Sequence, residues 1–187
     1  MRLILLGAPG AGKGTQAAAL AEYFGVPHIS SGARLRRHVA DGTKLGRKVA
    51  HYLERGELVP DDLVMVVVDE ALARAGTGYI LEGFPRTMSQ ARAAEARHGG
   101  GLADAVVFLD LPDDVARQRI AQRMAAGRSD DRDREVVERR LRTFHAETRP
   151  VVDYYRDRGL LVTVDASQPP DAVTTAILTA LAGLTPH

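Results

Sequence analysis

The chain has 187 residues, which corresponds to one domain with room for small appended lobes and is enough to bury a full core. Its net charge of +1 argues against a general nucleic-acid-binding or membrane-binding surface. Cysteine is absent, which excludes a disulfide framework and a thiolate metal site. The apolar runs are too short for a secretory signal or a membrane span, so we expect a cytoplasmic protein.

Short apolar segments next to glycine or proline predict the buried strands of a parallel sheet. In chain order these segments are residues 2–6, 27–30, 78–86, 103–112 and 159–165. Segments with helical spacing predict helices at residues 13–24, 31–40, 44–54, 61–75, 113–124, 134–157 and 170–181. Asp61 and Asp113 are expected to cap the helices that they begin. Because strands alternate with helices along the whole chain, the pattern predicts an α/β fold with one five-stranded parallel sheet and helices on both faces.

A phosphate-binding loop is predicted at residues 7–15, GAPGAGKGT, between the first strand and the first helix. Its glycines allow backbone N–H groups to approach a triphosphate, and Lys13 can reach the outer phosphates. In the common pattern a hydroxyl residue follows the lysine and binds Mg²⁺, but here Gly14 holds that position and Thr15 comes one place later. The alternative interpretation is a glycine-rich turn without a ligand.

Four motifs together resemble the adenylate kinases, which belong to the nucleoside monophosphate kinases. They are GAPGAGKGTQ at 7–16, the pattern IS-S-G-x-x-LR at 29–36, GFPRT at 83–87 and GR-S-DD at 127–131. The resemblance implies a P-loop NTPase-type fold and the reversible transfer of the terminal phosphoryl group from Mg-ATP to AMP, giving two ADP. It also accounts for Gly14, because in this family Mg²⁺ is held by nucleotide oxygens and waters, with acidic side chains behind those waters.

The resemblance implies two sets of nucleotide-binding residues. For ATP they are Gly10, Ala11, Gly12, Lys13, Gly14, Thr15, Arg119, Arg123 and Ser167. For AMP they are Ser31, Arg36, Glu57, Leu58, Val59, Gly83, Phe84, Pro85, Arg86, Gln90, Arg128 and Arg140. The catalytic residues that it implies are Lys13, Arg86, Arg119, Arg123, Arg128 and Arg140.

Residue chemistry is consistent with these roles. Arg119 and Arg123 lie four residues apart, so they share a helix face and can reach one ligand, although without the resemblance they would be taken as solvated surface. The amide of Gln90 offers a donor and an acceptor to the edge of adenine, whereas a lone glutamine on a helix is otherwise an exposed polar residue.

The lid and the domain boundaries also follow from the resemblance. Arg128 and Arg140 match two arginines that close with the lid, with Arg139 as the alternative to Arg140, which directly precedes Leu141 as in the family. The lid is short and has no cysteine, so no structural zinc is expected. The predicted parts are a core of residues 1–29, 60–123 and 136–187, an NMP-binding lobe of residues 30–59 and a lid of residues 124–135.

Two positions depart from the family pattern, because Ala33 and Glu82 stand where the family usually carries aspartate. Both family carboxylates lie near the hydrated metal, so we expect a looser Mg²⁺ site, no direct protein ligand, and Glu82 acting through water. His28 shows no metal-ligand spacing. A misplaced metal would slow the chemical step.

The sequence therefore predicts a monomeric, short-lid adenylate kinase whose partners are ATP, AMP and ADP. One alternative is a pyrimidine nucleoside monophosphate kinase, against which Thr87 and Gln90 argue, because that group carries asparagine after GFPR. The other is a weakly active nucleotide-binding paralogue, which the altered carboxylates alone would support.

Overall fold

The computed structural model describes residues 1–99, 101–125 and 133–183. Within them, five parallel strands form one sheet in the order β2-β3-β1-β4-β5. The strands are β1 (Arg2–Gly7), β2 (His28–Ser30), β3 (Tyr79–Glu82), β4 (Ala105–Asp110) and β5 (Leu161–Asp165). The prediction of an α/β fold on a five-stranded parallel sheet is thus confirmed.

Helices connect these strands and surround the sheet. They are α1 (Lys13–Phe24), α2 (Ser31–Ala40), α3 (Lys44–Arg55), α4 (Asp61–Leu72), α5 (Met88–Arg97), α6 (Asp113–Ala125), α7 (Arg134–Thr143), α8 (Arg149–Arg156) and α9 (Pro170–Ala182). A π-helical turn, Phe144–Thr148, joins α7 to α8. Among the described residues, no helix has the length and apolar character that a membrane crossing requires.

The central strand shows why the sheet is stable. In β1, the four residues Leu3, Ile4, Leu5 and Leu6 are each at most 2% exposed. Successive side chains of a strand point to opposite faces, so burial at four consecutive positions means that both faces are covered. The hydrophobic effect therefore selects a continuous apolar run here, instead of the alternating pattern of a half-exposed strand.

The strand order determines where a ligand can bind. From β1 the chain passes to β2 and β3 on one side of the sheet, and β4 and β5 lie on the other side. In open parallel sheets the carboxyl ends of the strands form a crevice at such a reversal. Gly7 ends β1 at this edge, and a Cβ atom on Gly7 would lie 2.9 Å from the backbone oxygen of Leu109. Only glycine therefore fits where the predicted phosphate loop leaves the sheet.

One helix was not predicted, and another is interrupted where a continuous helix was predicted. The helix α5 was not among the predicted elements; Thr87 caps it by accepting a hydrogen bond from the backbone N–H of Gln90 at 3.1 Å. The predicted helix at residues 134–157 is interrupted by the π-helical turn. Pro150, the second residue of α8, lacks an N–H and its ring crowds the preceding turn, so a regular α-helical ladder cannot pass through this point.

Asp61 does not cap α4, so that prediction is wrong. Pro60 holds the N-cap position, and Asp61 is the first helical residue. Its carboxylate instead accepts a hydrogen bond from the side-chain amide of Gln90 at 2.7 Å. The helix ends at Leu72, a few residues before the predicted end at residue 75. Asp113 is likewise the first residue of its helix, α6.

Candidate active site

A cleft of about 1130 Å³ opens at the carboxyl ends of β1, β2 and β3. Every predicted ATP-binding residue lines this cleft, and so does every predicted AMP-binding residue except Phe84 and Arg128. Phe84 is 0% exposed and its ring is part of the hydrophobic core, so only its backbone could contact AMP, and its predicted role stays a prediction. Arg128 lies outside the described residues.

The phosphate loop and the start of α1 form one end of the cleft. The ammonium group of Lys13 turns back over the loop and donates hydrogen bonds to the backbone oxygens of Gly7 (2.7 Å) and Ala8 (2.8 Å). The N-cap residue, Gly12, has no side chain that could accept hydrogen bonds from the first N–H groups of α1, so these N–H groups can bind a ligand. A lysine ammonium, helix N–H groups and the positive end of the helix dipole together favour a bound phosphate.

Two arginines of α6 lie beside this end. Arg119 donates hydrogen bonds to the backbone oxygens of Ala166 (2.7 Å) and Ser167 (3.1 Å), and so holds the loop after β5 against α6. Arg123, one helical turn later, lines the same cleft. The phosphate loop also packs directly on α6, since a Cβ atom on Gly10 would lie 2.8 Å from the backbone oxygen of Ala116. The phosphate loop therefore packs on the same helix that carries both arginines, so all of them lie at one end of the cleft.

Three arginines converge at the other end of the cleft. Burial lowers the pKa of Arg86, and the positive charges of Arg140 and Arg36 lower it further, while the negative charge of Glu82 opposes them. Arg86 remains a cation, because the ordinary pKa of arginine is far above neutral pH. Like charges held together in a partly buried cleft are unfavourable, and an anionic ligand relieves the repulsion. The cluster therefore suits a phosphate group, which arginine binds in a bidentate manner.

The turn after β3 orients this arginine cluster. The backbone oxygen of Gly83 accepts hydrogen bonds from the Ser31 hydroxyl (2.7 Å) and from Nε of Arg86 (2.8 Å). Gly83 has a φ of +77°, and a Cβ atom there would lie 2.9 Å from the Ser31 hydroxyl, so glycine is required. The backbone of the GFPR motif thus links Ser31, at the start of α2, to the side chain of Arg86 through hydrogen bonds.

Neighbouring arginines of α7 face different surroundings. Arg140 lines the cleft, and its charge acts on Arg86. Arg139 instead contacts Glu57 (3.2 Å) and Glu135 (3.1 Å) and donates to the backbone oxygen of Arg55. A rotation of about 100° per residue separates adjacent side chains on a helix, so two neighbours cannot share one target. This geometry favours Arg140 over Arg139 as a ligand of phosphate.

Gln90 is buried, not the exposed helix residue that a lone glutamine would be. It is 1% exposed, yet it lines the cleft. Its amide oxygen accepts from the backbone N–H of Arg86 at 2.7 Å, and its amide nitrogen donates to Asp61 at 2.7 Å. The side chain that is expected to contact the acceptor base is therefore held by the protein itself.

Glu82 lies between the two ends of the cleft. A Cβ atom on Gly14 would lie 3.8 Å from both of its carboxylate oxygens. Nε2 of His28 is 3.0 Å from the carboxylate. Burial alone would raise the pKa of Glu82, but hydrogen bonds from His28 and Ser30 and the charge of Lys13 outweigh it and lower the pKa to about 2. The group is therefore an ionised carboxylate beside the position where other phosphate loops carry a metal-binding hydroxyl.

The comparison with known proteins agrees with this geometry. The family model described as Adenylate kinase matches residues 5–160. The chain belongs to the adenylate kinase family. An adenylate kinase of Synechococcus sp. is 44% identical over 184 residues, which cover 97% of this chain and 98% of the relative. Adenylate kinase 1 of Nostoc sp. is 46% identical over 177 residues (92% and 94%), and an adenylate kinase of Mycobacterium bovis is 44% identical over 186 residues (97% and 99%).

In an adenylate kinase, positions 33 and 82 of the cleft bear on whether a hydrated Mg²⁺ ion can bind there. Ala33 is exposed and lines the cleft, so an acidic side chain at this position would reach it. No group of three or more His, Asp or Glu side chains within residues 1–99, 101–125 and 133–183 could hold a metal ion directly. The ionised oxygens of Glu82 nevertheless suit the water shell of Mg²⁺, so the residues present fit a metal that the nucleotide carries.

Sequence reasoning missed several residues of this adenylate kinase cleft. His28 had been given no role, and yet it holds Glu82; the signal was its position two residues before Ser30, on the same side of β2. Thr148 donates from its hydroxyl to the backbone oxygen of Arg86 at 2.9 Å, and nothing in the sequence pattern indicated it. Gln16, in the GKGTQ motif, also lines the cleft and donates to the backbone oxygen of Pro170 at 2.9 Å.

Proposed function

We propose that this protein catalyses the reversible transfer of the terminal phosphoryl group of Mg-ATP to AMP, giving two ADP. The observation that carries the proposal is the presence of two cationic sites in one cleft: the phosphate loop with Lys13, and the cluster of Arg36, Arg86 and Arg140. An enzyme that only hydrolyses ATP needs one phosphate site. A second site in the same cleft suits a second phosphate-bearing substrate that accepts the transferred group.

The proposed roles of the side chains follow from the chemistry of phosphoryl transfer. This reaction needs alignment, neutralisation of charge and exclusion of water more than covalent assistance. Lys13 would bind the outer phosphates of ATP, and Arg119 and Arg123 would bind along the same chain of phosphates. Arg36 and Arg86 would hold the phosphate of AMP so that one of its oxygens points at the γ-phosphorus. Arg140 would neutralise charge that is shared between donor and acceptor.

Mg²⁺ is part of this proposal as the partner of ATP. When bound, Mg²⁺ would supply positive charge that offsets the negative charge on the transferred phosphoryl group. Glu82 would accept hydrogen bonds from water molecules of its shell, and His28 and Ser30 would keep the Glu82 carboxylate oriented. Gly14 leaves space beside this carboxylate.

The proposal also includes movement of the predicted lobe and the predicted lid. We propose that the lobe of residues 30–59 and the short lid of residues 124–135 close over the two nucleotides, with Arg128 arriving from the lid. Closure would exclude water, which is the competing acceptor of the phosphoryl group. We also keep the expectations of a cytoplasmic monomer, and light scattering coupled to gel filtration measures the oligomeric state.

A coupled assay of ADP formation tests the proposal. ATP with AMP should give rapid turnover that depends on Mg²⁺, whereas ATP with UMP or CMP should give little. Lys48, an exposed lysine of α3, provides a matched control, since Lys48→Met should leave the rate unchanged. A preference for UMP or CMP would replace the proposal with the pyrimidine enzyme. Tight binding of both nucleotides without turnover would replace it with a nucleotide-binding role.

A further inference from the structure

A buried network fixes both ends of the Gln90 side chain. Its oxygen Oε1 accepts a hydrogen bond from the backbone N–H of Arg86, and its nitrogen Nε2 donates one to Oδ1 of Asp61, both at 2.7 Å. Asp61 belongs to α4 and lies behind the lining of the cleft. The hydroxyl of Thr87 donates to the same carboxylate at 3.3 Å. Asp61 is thus held in place and in turn holds Gln90.

These contacts determine which way round the amide stands. A carboxamide has two N–H donors and an oxygen with two lone pairs. The protein uses one of each, which leaves one N–H and one lone pair for a ligand in the cleft. Turning the amide by 180° would set its N–H groups against the N–H of Arg86 and its oxygen against the carboxylate of Asp61. Two buried hydrogen bonds would become two repulsive contacts, so the reversed orientation is strongly disfavoured.

A fixed amide distinguishes two classes of purine. A 6-aminopurine presents an amino donor beside a ring-nitrogen acceptor, whereas a 6-oxopurine presents an oxygen acceptor beside an N–H donor. An amide that can turn over matches either edge. An amide that is held in one orientation matches one edge and opposes the other at both positions.

Building on the proposed function, we propose that Asp61 is a specificity-determining positioning residue. It holds the Gln90 amide in one orientation, and this orientation makes the acceptor site take a 6-aminopurine monophosphate and reject a 6-oxopurine monophosphate. Asp61 acts through Gln90 and does not itself contact the substrate. A site built around fixed hydrogen-bonding groups rejects a mismatched analogue much more strongly than an apolar pocket does.

AMP and IMP are the matched pair of probes, because they differ only in the group at position 6 and in the proton on N1. The values of kcat and KM for each are measured with saturating Mg-ATP for the wild type and for Asp61→Asn. The asparagine can present either its oxygen or its amino group, so it no longer dictates the orientation of Gln90. Asp62→Asn is the control, since Asp62 is exposed in the same first turn of α4 and undergoes the same loss of charge.

The wild type should prefer AMP over IMP by about 10⁴-fold or more in kcat/KM. Asp61→Asn should narrow this preference by about tenfold or more, with an unchanged KM for ATP. The control should keep the wild-type ratio. A purely structural role for Asp61 would lower kcat/KM for both nucleotides together and leave the ratio unchanged, which would overturn the proposal.

Other outcomes separate this proposal from the function on which it rests. If the wild type phosphorylates IMP as readily as AMP, the proposed role of Asp61 is wrong, whereas the proposed kinase activity is still supported. A wild type that transfers no phosphoryl group would end the proposed function, and the ratio of Kd values for AMP and IMP, measured by calorimetry, would then decide the role of Asp61 by the same criteria.

A measurement on the wild type covers the case in which Asp61→Asn does not fold. In a sample labelled with ¹³C and ¹⁵N, the side-chain amide protons of Gln90 should exchange with solvent much more slowly than those of Gln118, which is exposed on α6. A through-bond coupling between Nε2 of Gln90 and the carboxyl carbon of Asp61 should also be observed. Exchange as fast as that of Gln118 would contradict a fixed amide.

Discussion

Replacing Glu82 with glutamine should make the stability of the protein less dependent on pH in the acid range. The carboxylate of Glu82 is 19% exposed and lies 3.0 Å from Nε2 of His28. Burial raises its pKa, but hydrogen bonds from His28 and Ser30 and the charge of Lys13 lower it to a net value of about 2, against an ordinary value of 4.5. Glu82→Gln keeps the size and most hydrogen-bonding capacity of the side chain and removes the charge.

The sign and size of the effect follow from the two pKa values. A carboxyl group with a lower pKa in the folded state stabilises that state above its unfolded pKa, and the contribution is lost as the pH falls towards the folded pKa. The full contribution of Glu82 is about 3 kcal/mol at neutral pH. Between pH 7 and pH 3, about 2 kcal/mol of this stabilisation should disappear in the wild type.

Urea unfolding at pH 7, 5, 4 and 3 measures the free energy of unfolding for both proteins. The difference between wild type and Glu82→Gln should shrink by about 2 kcal/mol from pH 7 to pH 3, with most of the change below pH 4.5. Glu22→Gln is the control, because Glu22 is exposed on α1, and its difference from wild type should change little. A Glu82→Gln difference that is equal at pH 7 and pH 3 would refute the assignment of a strongly lowered pKa.

Three further predictions concern the residues that line the cleft and their neighbours. Lys13→Met should lower kcat by about 100-fold or more with a normal melting temperature, since the ammonium group faces the phosphate site; near-wild-type turnover would contradict its role. Arg140→Gln should lower kcat/KM for AMP by about 100-fold, whereas Arg139→Gln should change it by less than about threefold, because Arg139 does not line the cleft and its ion pairs with Glu57 and Glu135 are partly exposed. The reverse order would identify Arg139 as the phosphate ligand. The double variant Ala33→Asp/Glu82→Asp should have a higher kcat and should need less Mg²⁺ for half the maximal rate. The effects of the two single substitutions should not add, because both act on the same hydrated ion. An unchanged Mg²⁺ midpoint in the double variant would leave the expected loose metal site without support.

The sequence alone determined the sheet and the phosphate loop of this protein. The apolar run of β1 indicated a buried parallel strand, because a strand covered on both faces needs apolar side chains at every position. The loop at residues 7–15 was equally readable, because its conformation depends on glycines and a lysine that are neighbours in the chain. Local structure of this kind is encoded locally. The helix α5 was missed because its start depends on a single capping residue, Thr87, directly after a turn.

The resemblance to a family supplied the candidate ligands, but it did not show how neighbouring side chains divide between cleft and surface. Arg139 and Arg140 are identical in type and adjacent in the chain, so composition and spacing could not separate them. Only the rotation of α7 about its own axis decides that Arg140 lies near Arg86 and that Arg139 contacts Glu57.

The residues that hold Gln90 and Glu82 in place were determined by tertiary structure alone. Gln90 and Asp61 are 29 residues apart, and His28 and Glu82 are 54 residues apart. Each pair meets because separate helices or strands pack side by side, and neither partner carries a local signal of the other. Asp61 resembled a helix cap and His28 an unassigned histidine. Burial forces polar groups to find partners, and the packed fold decides which partners are within reach.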